Sequence, residues 1–173
     1  MSHQSRFGEA EAASLRGEPL EAGAAMQLGL LMFAFSRLDL AVQLYLDGIG
    51  RAGPEAGTRR LLAYADGLSD KALRADFVQW IVRMHRMEPL QQALQTGRWM
   101  PDPRRGVVAC LAPPGAPKPA KATYTPTEID EALAALRELF ADLQRLCAAE
   151  RNISPASAAD FLTTQPIAVY EQT

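Results

Sequence analysis

Cysteine and histidine are scarce in this 173-residue chain, and their scarcity narrows the chemistry that the chain can do. There are two residues of each, and they form neither a Cys-x-x-Cys pair nor a cluster with one another. Structural zinc sites need a tetrahedral set of such ligands at short spacings, so we expect no metal site and no cofactor. We expect Cys110 and Cys147 to remain thiols in a reducing cytoplasm.

Long apolar runs and strong net charge are also missing. The longest apolar run, LGLLMFAF, ends at Ser36 and Arg37, well short of the roughly 20 residues that span a bilayer. It predicts a buried helix. The start of the chain, MSHQSRFGEAEAAS, lacks the order of a secretory signal, and a net charge of -2 argues against a chain that coats nucleic acid throughout. We expect a cytoplasmic protein that has no membrane partner.

Apolar residues at helical spacing predict three helices in the first hundred residues. A long helix covers about residues 20–50 and ends at GIGRAGPEAG, and a shorter one covers AGTRRLLAYADG. A third helix follows, with Ser69 as its N-cap and Gly97 as its end. Pro89 lies inside the third helix and should kink or interrupt it near Arg86, because its ring removes a backbone hydrogen bond.

The remainder of the chain changes character twice. Residues 99–125 are rich in proline around two runs of β-type composition, GVVACLA and KATYT, which predict a hairpin or an irregular insertion. A last long helix then begins with Thr125 as N-cap, Pro126 at the first position and Glu128 closing a capping box. The segment SPASAADFLT predicts one more short helix.

These elements predict an all-α, up-and-down bundle of four main helices with a small β-hairpin or irregular insertion before the last long helix. Residues 1–18 are small, polar and unpatterned, and we interpret them as a flexible leader. The bundle covers residues 19–151, and residues 152–173 form a C-terminal tail.

The order of these features resembles the bacterial HEPN-like helical proteins over about residues 25–150. The opening helix carries FSRLDLAV, where that family tends to have an acidic residue after an aromatic residue and a leucine. A later helix ends in a motif of the form RNxxxHGxW in the family, and here the segment reads QQALQTGRW. In this alignment Gln91 stands for the arginine, Gln92 for the asparagine and Thr96 for the histidine, followed by Gly97, Arg98 and Trp99.

The resemblance implies metal-independent RNA cleavage by a homodimer whose motif helices meet. That chemistry needs a histidine to move a proton near neutral pH and an arginine to stabilise the phosphorane charge. Gln91 and Thr96 supply neither a titrating group nor a cation. His85 lies about 16 Å from Thr96 along an ideal helix, which is too far for direct proton transfer. We therefore expect no catalysis by the family mechanism.

The other candidate residues have two interpretations each. Asp39 matches the acidic residue of the family, and if it faces inward, Arg37 and Arg98 are its candidate partners. Alternatively, Asp39 is a solvated carboxylate on a polar stripe with Gln43 and Asp47. His85 is a catalytic candidate or a satisfied histidine. Trp99 is a partner-binding residue or a packed aromatic.

Charge is unevenly distributed along the second half of the chain. Residues 81–125 have seven basic residues and two acidic ones, whereas residues 126–173 have eight acidic residues and three arginines. A basic sector beside the motif could bind RNA phosphates, or it could pack against the acidic last helix of the same or a second chain. The candidate residues for binding RNA or a protein partner are Arg83, Arg86, Arg98, Trp99, Arg104 and Arg105.

The sequence thus predicts a non-catalytic HEPN-like module, a pseudo-nuclease that forms a homodimer through the motif helix and binds a protein or RNA. Two alternatives stay open. One is an active ribonuclease that uses Asp39, His85 and Arg98 in an altered layout. The other is a protein that binds RNA without cleaving it.

Overall fold

The computed structural model describes residues 20–51, 57–102, 105–111 and 121–164. In these ranges the chain forms five helices and one three-stranded sheet, so it is mostly helical. In chain order the elements are α1 (Ala22–Gly48), α2 (Gly57–Asp66), α3 (Lys71–Thr96), β1 (Arg98–Asp102), β2 (Val107–Leu111), β3 (Lys121–Tyr124), α4 (Pro126–Arg151) and α5 (Pro155–Thr164).

The chain divides into two compact units. Unit 1 comprises Met1–Phe33 and Glu88–Ala134, and unit 2 comprises Ala34–Met87 and Ala135–Thr173. The divisions fall inside α1, α3 and α4, three helices that continue from one unit into the other. Helical periodicity carries no signal of such a division, because the spacing of apolar residues is the same on both sides of it.

The sheet belongs to unit 1 and is antiparallel throughout, in the order β1, β2, β3. Arg98 stands opposite Leu111, and Val108 pairs with Tyr124 across the second ladder. The predicted strands in GVVACLA and KATYT are confirmed as β2 and β3. The sequence did not predict β1, whose Pro101 argues against a strand. Because β1 is an edge strand, it accommodates a residue that has no N–H to donate to a neighbour.

The start of α4 confirms the predicted capping box. The backbone N–H of Glu128 donates to the Thr125 hydroxyl oxygen at 3.1 Å, and the Thr125 N–H donates to the Glu128 carboxylate at 2.7 Å. The two side chains thereby satisfy backbone donors that the first turn of a helix leaves unpaired. In the same unit, the Gln27 side chain of α1 donates to Asp130 of α4 at 2.9 Å.

Unit 2 is organised around a layer of aromatic and aliphatic side chains. Tyr45 stacks on Phe77 at a centroid distance of 5.9 Å, and Tyr64 meets both rings edge-on. The indole of Trp80 is buried and donates its N–H to the backbone carbonyl of Leu139 at 2.7 Å, which satisfies its polar atom. Nine apolar side chains at helical spacing on α1, α3 and α4 are buried in this unit: Phe35, Leu38, Val42, Leu46, Ile81, Met84, Leu136, Leu143 and Leu146.

The predicted N-cap of α3 is wrong, and the interruption predicted as one outcome at Pro89 does not occur. The N-cap of α3 is Asp70 instead of Ser69: the Asp70 carboxylate accepts hydrogen bonds from the backbone N–H groups of Ala72 and Leu73 at 2.8 and 3.1 Å. The helix also continues through Pro89 up to Thr96 without interruption. A proline removes one hydrogen bond from the helix, and the bonds on either side of it keep the helical conformation.

Of the remaining predictions, the short helix near the end of the chain is confirmed, and the leader and part of the tail fall on residues that the structure does not describe. The short helix predicted in SPASAADFLT is present as α5, and the Ser154 hydroxyl oxygen caps it by accepting the Ser157 N–H at 3.1 Å. The predicted leader, residues 1–18, and the last nine residues of the tail lie outside the described residues.

The run LGLLMFAF is buried on only one side of α1. Leu28, Leu31 and Phe35 are buried as predicted, but Leu30 is 44% exposed and Phe33 is 67% exposed. The prediction that the run is a buried helix is therefore wrong for half of its large side chains. By length and composition, α1 is also the one helix among the described residues that could cross a membrane. Its most apolar 18-residue window has a mean hydropathy of 1.4, and 33% of that window is buried.

The exposed residues of α1 in unit 1 form a continuous surface. Successive helical residues turn by about 100°, so the side chains that lie within about 60° of Met26 share a face, opposite Leu28 and Leu31. We call this surface the outer face of α1; it consists of Ala22, Gly23, Met26, Gly29, Leu30 and Phe33. All six residues are exposed, and none is ionisable.

Candidate functional site

The motif segment lies where α3 ends and the sheet of unit 1 begins. Gln92 and Thr96 are exposed, and Gln91 is half-buried. The Thr96 hydroxyl donates to the backbone carbonyl of Gln92 at 2.8 Å, a contact within the helix of the kind that threonine often makes. The position that the resemblance assigns to a histidine is therefore a threonine whose hydroxyl pairs with the helix backbone.

Gly97 and Trp99 join the helix to the sheet. The Trp99 indole donates to the Ala93 carbonyl at 3.0 Å, near the end of α3, and its ring lies 5.3 Å from the ring of Tyr124 in β3. A Cβ atom at Gly97 would overlap the Cys110 sulfur and the Ala93 carbonyl oxygen. Gly97 and Trp99 therefore pack the end of α3 against the sheet, and this structural role explains both residues without a nuclease site.

Three described basic residues belong to the sheet region of unit 1: Arg98 in β1, Lys121 in β3, and Arg105 in the turn before β2. Arg98 and Arg105 are exposed, and Lys121 pairs with the Asp102 carboxylate at 3.3 Å. Arg104 lies outside the described residues. Arg98 and Arg105 are candidate anion contacts because guanidinium groups keep their charge at any ordinary pH.

The other candidates from the sequence are in unit 2. Asp39 is half-buried in α1, whereas His85 and Arg86 are exposed on α3. Arg83 forms an ion pair with Asp142 of α4. The structure thereby gives Arg83 a role that the sequence did not predict, because Asp142 is 59 residues away along the chain.

Arg83 belongs to a groove of about 420 Å³ between α3 and α4 in unit 2. Asp142 accepts ion pairs from both Arg83 and Arg145, and its carboxylate is 17% exposed. The other residues that line the groove are Leu73, Asp76, Gln79, Trp80, Leu146 and Ala149. The ionisable side chains that line the groove are carboxylates and guanidiniums, which can hold a polar group by charge and hydrogen bonds.

A buried polar cluster in unit 2 was not predicted. The Tyr64 hydroxyl donates to the Glu150 carboxylate at 2.6 Å, whereas the Tyr45 hydroxyl is fully buried and makes no hydrogen bond of ordinary geometry. Burial raises the pKa of both tyrosines. The neighbouring Tyr64 hydroxyl and then the Glu150 charge raise the pKa of Tyr45 further, and the hydrogen bond to Glu150 raises the pKa of Tyr64. The neutral phenols are therefore the stable forms at any physiological pH.

Arg60 is a second buried polar residue that sequence reasoning did not single out. Its guanidinium donates to the Arg51 backbone carbonyl at 2.8 Å and to the Gln43 side-chain oxygen, and it lies 3.9 Å from the Asp47 carboxylate. The signal was present in the sequence, because Gln43 and Asp47 are one helical turn apart and were interpreted as a solvated stripe. The stripe instead binds an arginine from α2.

The described residues do not assemble a metal centre: they contain no group of three His, Cys, Asp or Glu side chains arranged to hold an ion. Cys110 and Cys147 are both free and buried, as predicted for thiols. Burial raises the pKa of each thiol, and a raised pKa lowers the fraction of reactive thiolate. Neither cysteine has the environment of a catalytic nucleophile.

Comparison with known proteins adds no relative from which function could be transferred. No family model matches the chain, and neither the curated proteins nor the solved structures contain a significant match to it.

Proposed function

We propose that this chain is a non-catalytic, cytoplasmic helical module that acts by binding another polypeptide, in an up-and-down arrangement like that of the HEPN proteins. One observation carries the proposal. The outer face of α1 exposes Met26 and Phe33 at 63% and 67%, although the opposite side of the same helix is already packed. A helix that is apolar on both sides is expected to have a partner on each.

The residues at the motif positions support the non-catalytic part of the proposal. Gln92 and Thr96 are exposed, but an amide and a hydroxyl cannot replace a cation and a base near neutral pH. Gln91 likewise carries no charge. The titratable groups of the groove in unit 2 are carboxylates and guanidiniums, and its central carboxylate, Asp142, is engaged by two arginines.

An RNA turnover assay with the purified chain tests this part. We expect no cleavage of a labelled single-stranded RNA above the buffer rate, for the wild type and for the variants Arg98→Ala and His85→Ala. Arg59→Ala, which changes an exposed arginine of α2, is the matched control. Cleavage that disappears in Arg98→Ala or His85→Ala and persists in Arg59→Ala would establish an active ribonuclease. Equal cleavage by all four proteins would identify a contaminating nuclease if it separates from the chain on gel filtration, and would refute the non-catalytic proposal if it co-elutes with the chain.

RNA binding without cleavage is a second candidate, and the exposed Arg98 and Arg105 of unit 1 favour it. Phosphate contacts release counterions, so the affinity should fall steeply with salt. The double variant Arg98→Ala/Arg105→Ala should bind more weakly and reduce the salt slope by about 2. Fluorescence anisotropy with a short RNA measures both quantities, and absent or salt-insensitive binding would rule this candidate out.

A further inference from the structure

We propose that the groove between α3 and α4 of unit 2 binds an amphiphilic monoanion, a carboxylate attached to an apolar chain. None of the residues that line the groove belongs to the outer face of α1, so this is a function beyond the binding of a polypeptide. The groove has a volume of about 420 Å³, which lies within the range of small-molecule sites. Charge and apolar surface are arranged along the groove in an order that selects this class of ligand.

The groove has two different ends, because α3 and α4 run along it in opposite directions. Arg83 of α3 forms an ion pair with Asp142 of α4. Phe77, six residues before Arg83, packs against Tyr64, and Tyr64 donates to Glu150, eight residues after Asp142. A step toward the start of α3 is therefore a step toward the end of α4.

One end of the groove is charged and the other is apolar. Arg83 and Asp142 meet at the charged end. Leu73 and Ala149, which lie furthest from that ion pair on their helices, line the groove at the other end. Ten residues of α3 separate Arg83 from Leu73, which corresponds to about 15 Å of helix. This length fits an extended molecule that has a charged group at one end only.

Apolar side chains form the floor of the groove between its two ends. Trp80 is 1% exposed and Leu146 is 8% exposed, and both line the groove. The indole N–H of Trp80 already donates to the backbone carbonyl of Leu139, so the polar atom of this ring is paired and the rest of the ring contributes apolar surface. An apolar chain that covers this floor gains free energy by leaving water.

The charged end of the groove carries a net positive charge. Arg83 and Arg145 both pair with Asp142, so two positive charges stand beside one negative charge. A guanidinium has five N–H donors in a planar fork, and a single shared carboxylate leaves donors on both arginines for a second planar anion. Asp142 also holds the two guanidiniums close together, which reduces the entropy that they lose when a ligand binds.

The same charges disfavour other ligands. An amine would have to displace an arginine from Asp142, and a phosphate monoester would bring about two negative charges to a net charge of one. Asp76 places a carboxylate beside the groove, but it is seven residues from Arg83, about 10.5 Å along α3. Salt screens most of the interaction between exposed charges at that distance. A ligand with a single carboxylate is therefore the best match.

Isothermal titration of the full-length protein with decanoate tests the proposal. The probes 1-decanol and decylamine have the same chain length but carry no charge and a positive charge. We expect one decanoate to bind per chain, and each of the other probes to bind at least about tenfold more weakly, because they lose hydrogen bonds between charged groups.

A pair of arginine variants tests the charged end. Arg145→Gln should weaken the binding of decanoate at least about tenfold, and because Arg145 is exposed, circular dichroism should show the helical content of the wild type. The matched control is Arg86→Gln, at an exposed arginine of α3 that does not line the groove. This control should bind decanoate as the wild type does.

Nuclear magnetic resonance locates the bound decanoate, because the chain has two tryptophans and only Trp80 lines the groove. Decanoate should shift the indole N–H resonance of Trp80 and leave that of Trp99 unchanged. Trp99→Phe assigns the two resonances, since only the Trp80 signal remains in that variant.

Three results would overturn the proposal. The first is the absence of decanoate binding up to about 1 mM. The second is equal affinity of decanoate for Arg145→Gln and Arg86→Gln, or affinity of 1-decanol or decylamine that matches that of decanoate, since the charged end would then contribute nothing to recognition. The third is a shift of the Trp99 resonance without a shift of Trp80, which would place the ligand outside the groove.

Discussion

The two tyrosines of the buried cluster in unit 2 should respond in opposite directions to the same substitution. Tyr45 has a hydroxyl that is fully buried and makes no hydrogen bond of ordinary geometry. Tyr64 donates its hydroxyl to Glu150 at 2.6 Å. Tyr→Phe removes only an oxygen in each case and leaves the stacking with Phe77 in place.

The expected magnitudes follow from what each hydroxyl does. A buried, unpaired polar group costs about 1–3 kcal/mol, so Tyr45→Phe should leave the free energy of unfolding unchanged or raise it by up to about 1 kcal/mol. A hydrogen bond to a charged group contributes about 1.5–3 kcal/mol, so Tyr64→Phe should lower it by that amount. The Glu150 carboxylate would also lose a hydrogen bond, while its second oxygen already makes none and lies 4.0 Å from the Arg151 Nε.

Urea unfolding at pH 7, followed by circular dichroism and by tryptophan fluorescence, measures both free energies. The two probes must coincide before a single free energy is assigned, because the chain has two compact units. Equal destabilisation by the two substitutions would refute the reasoning, since Tyr45 would then have a partner of its own, such as a bridging water. The pH dependence of stability above pH 10 provides a second test of the effect predicted for Tyr45. A raised folded pKa means that wild-type stability falls as pH rises through the ordinary tyrosine value, and Tyr45→Phe should reduce that fall.

Three further substitutions, with one control, test the contact between α3 and the sheet in unit 1 and the start of α4. Gly97→Ala should lower the free energy of unfolding by about 1–3 kcal/mol, because the new Cβ overlaps the Cys110 sulfur. The control Gly23→Ala places its Cβ in open space on α1 and should cause no such loss. Equal losses of stability in thermal melts of the two variants would contradict the packing at Gly97. Thr125→Ala should cost about 1 kcal/mol through loss of the N-cap. The hydrogen bond from Thr125 lowers the pKa of Glu128, so the stability from this carboxylate is present above its ordinary pKa and is lost as pH falls through the lowered value. Glu128→Gln should flatten the pH dependence in that acidic range, and an unchanged acid titration of stability would refute the role of the capping box.

Local signals in the sequence were sufficient for the helices and for two of the strands. Thr125, Pro126 and Glu128 act within one turn of the backbone, so their order alone predicts where α4 begins, and the capping box is confirmed. The edge strand β1 escaped prediction because Pro101 is unfavourable inside a sheet and acceptable at its edge. The predicted N-cap of α3, Ser69, is one residue from the observed Asp70, because both residue types cap well and local signals fix a helix boundary only to within one or two residues.

The side-chain sites depended on contacts between distant residues, which one sequence does not display. The sequence places Gln43 on a polar stripe of α1, but it does not show that Arg60 of α2 donates a hydrogen bond to Gln43. The exposure of Phe33 was equally hidden, because a helix that is apolar on both sides has the same composition as a core helix. The motif positions Gln91 and Thr96 were identified from a resemblance, and their catalytic meaning stays a prediction that the RNA assay addresses.

Photo-cross-linking from the outer face of α1 tests the central claim, that this face binds another polypeptide, most directly. A photoreactive phenylalanine analogue replaces Phe33, which is 67% exposed, in one full-length protein and Ile153, which is 37% exposed, in a second. After irradiation in cells we expect a defined cross-linked polypeptide from position 33 and none from position 153. No cross-link from position 33, or the same products from both positions, would contradict the account.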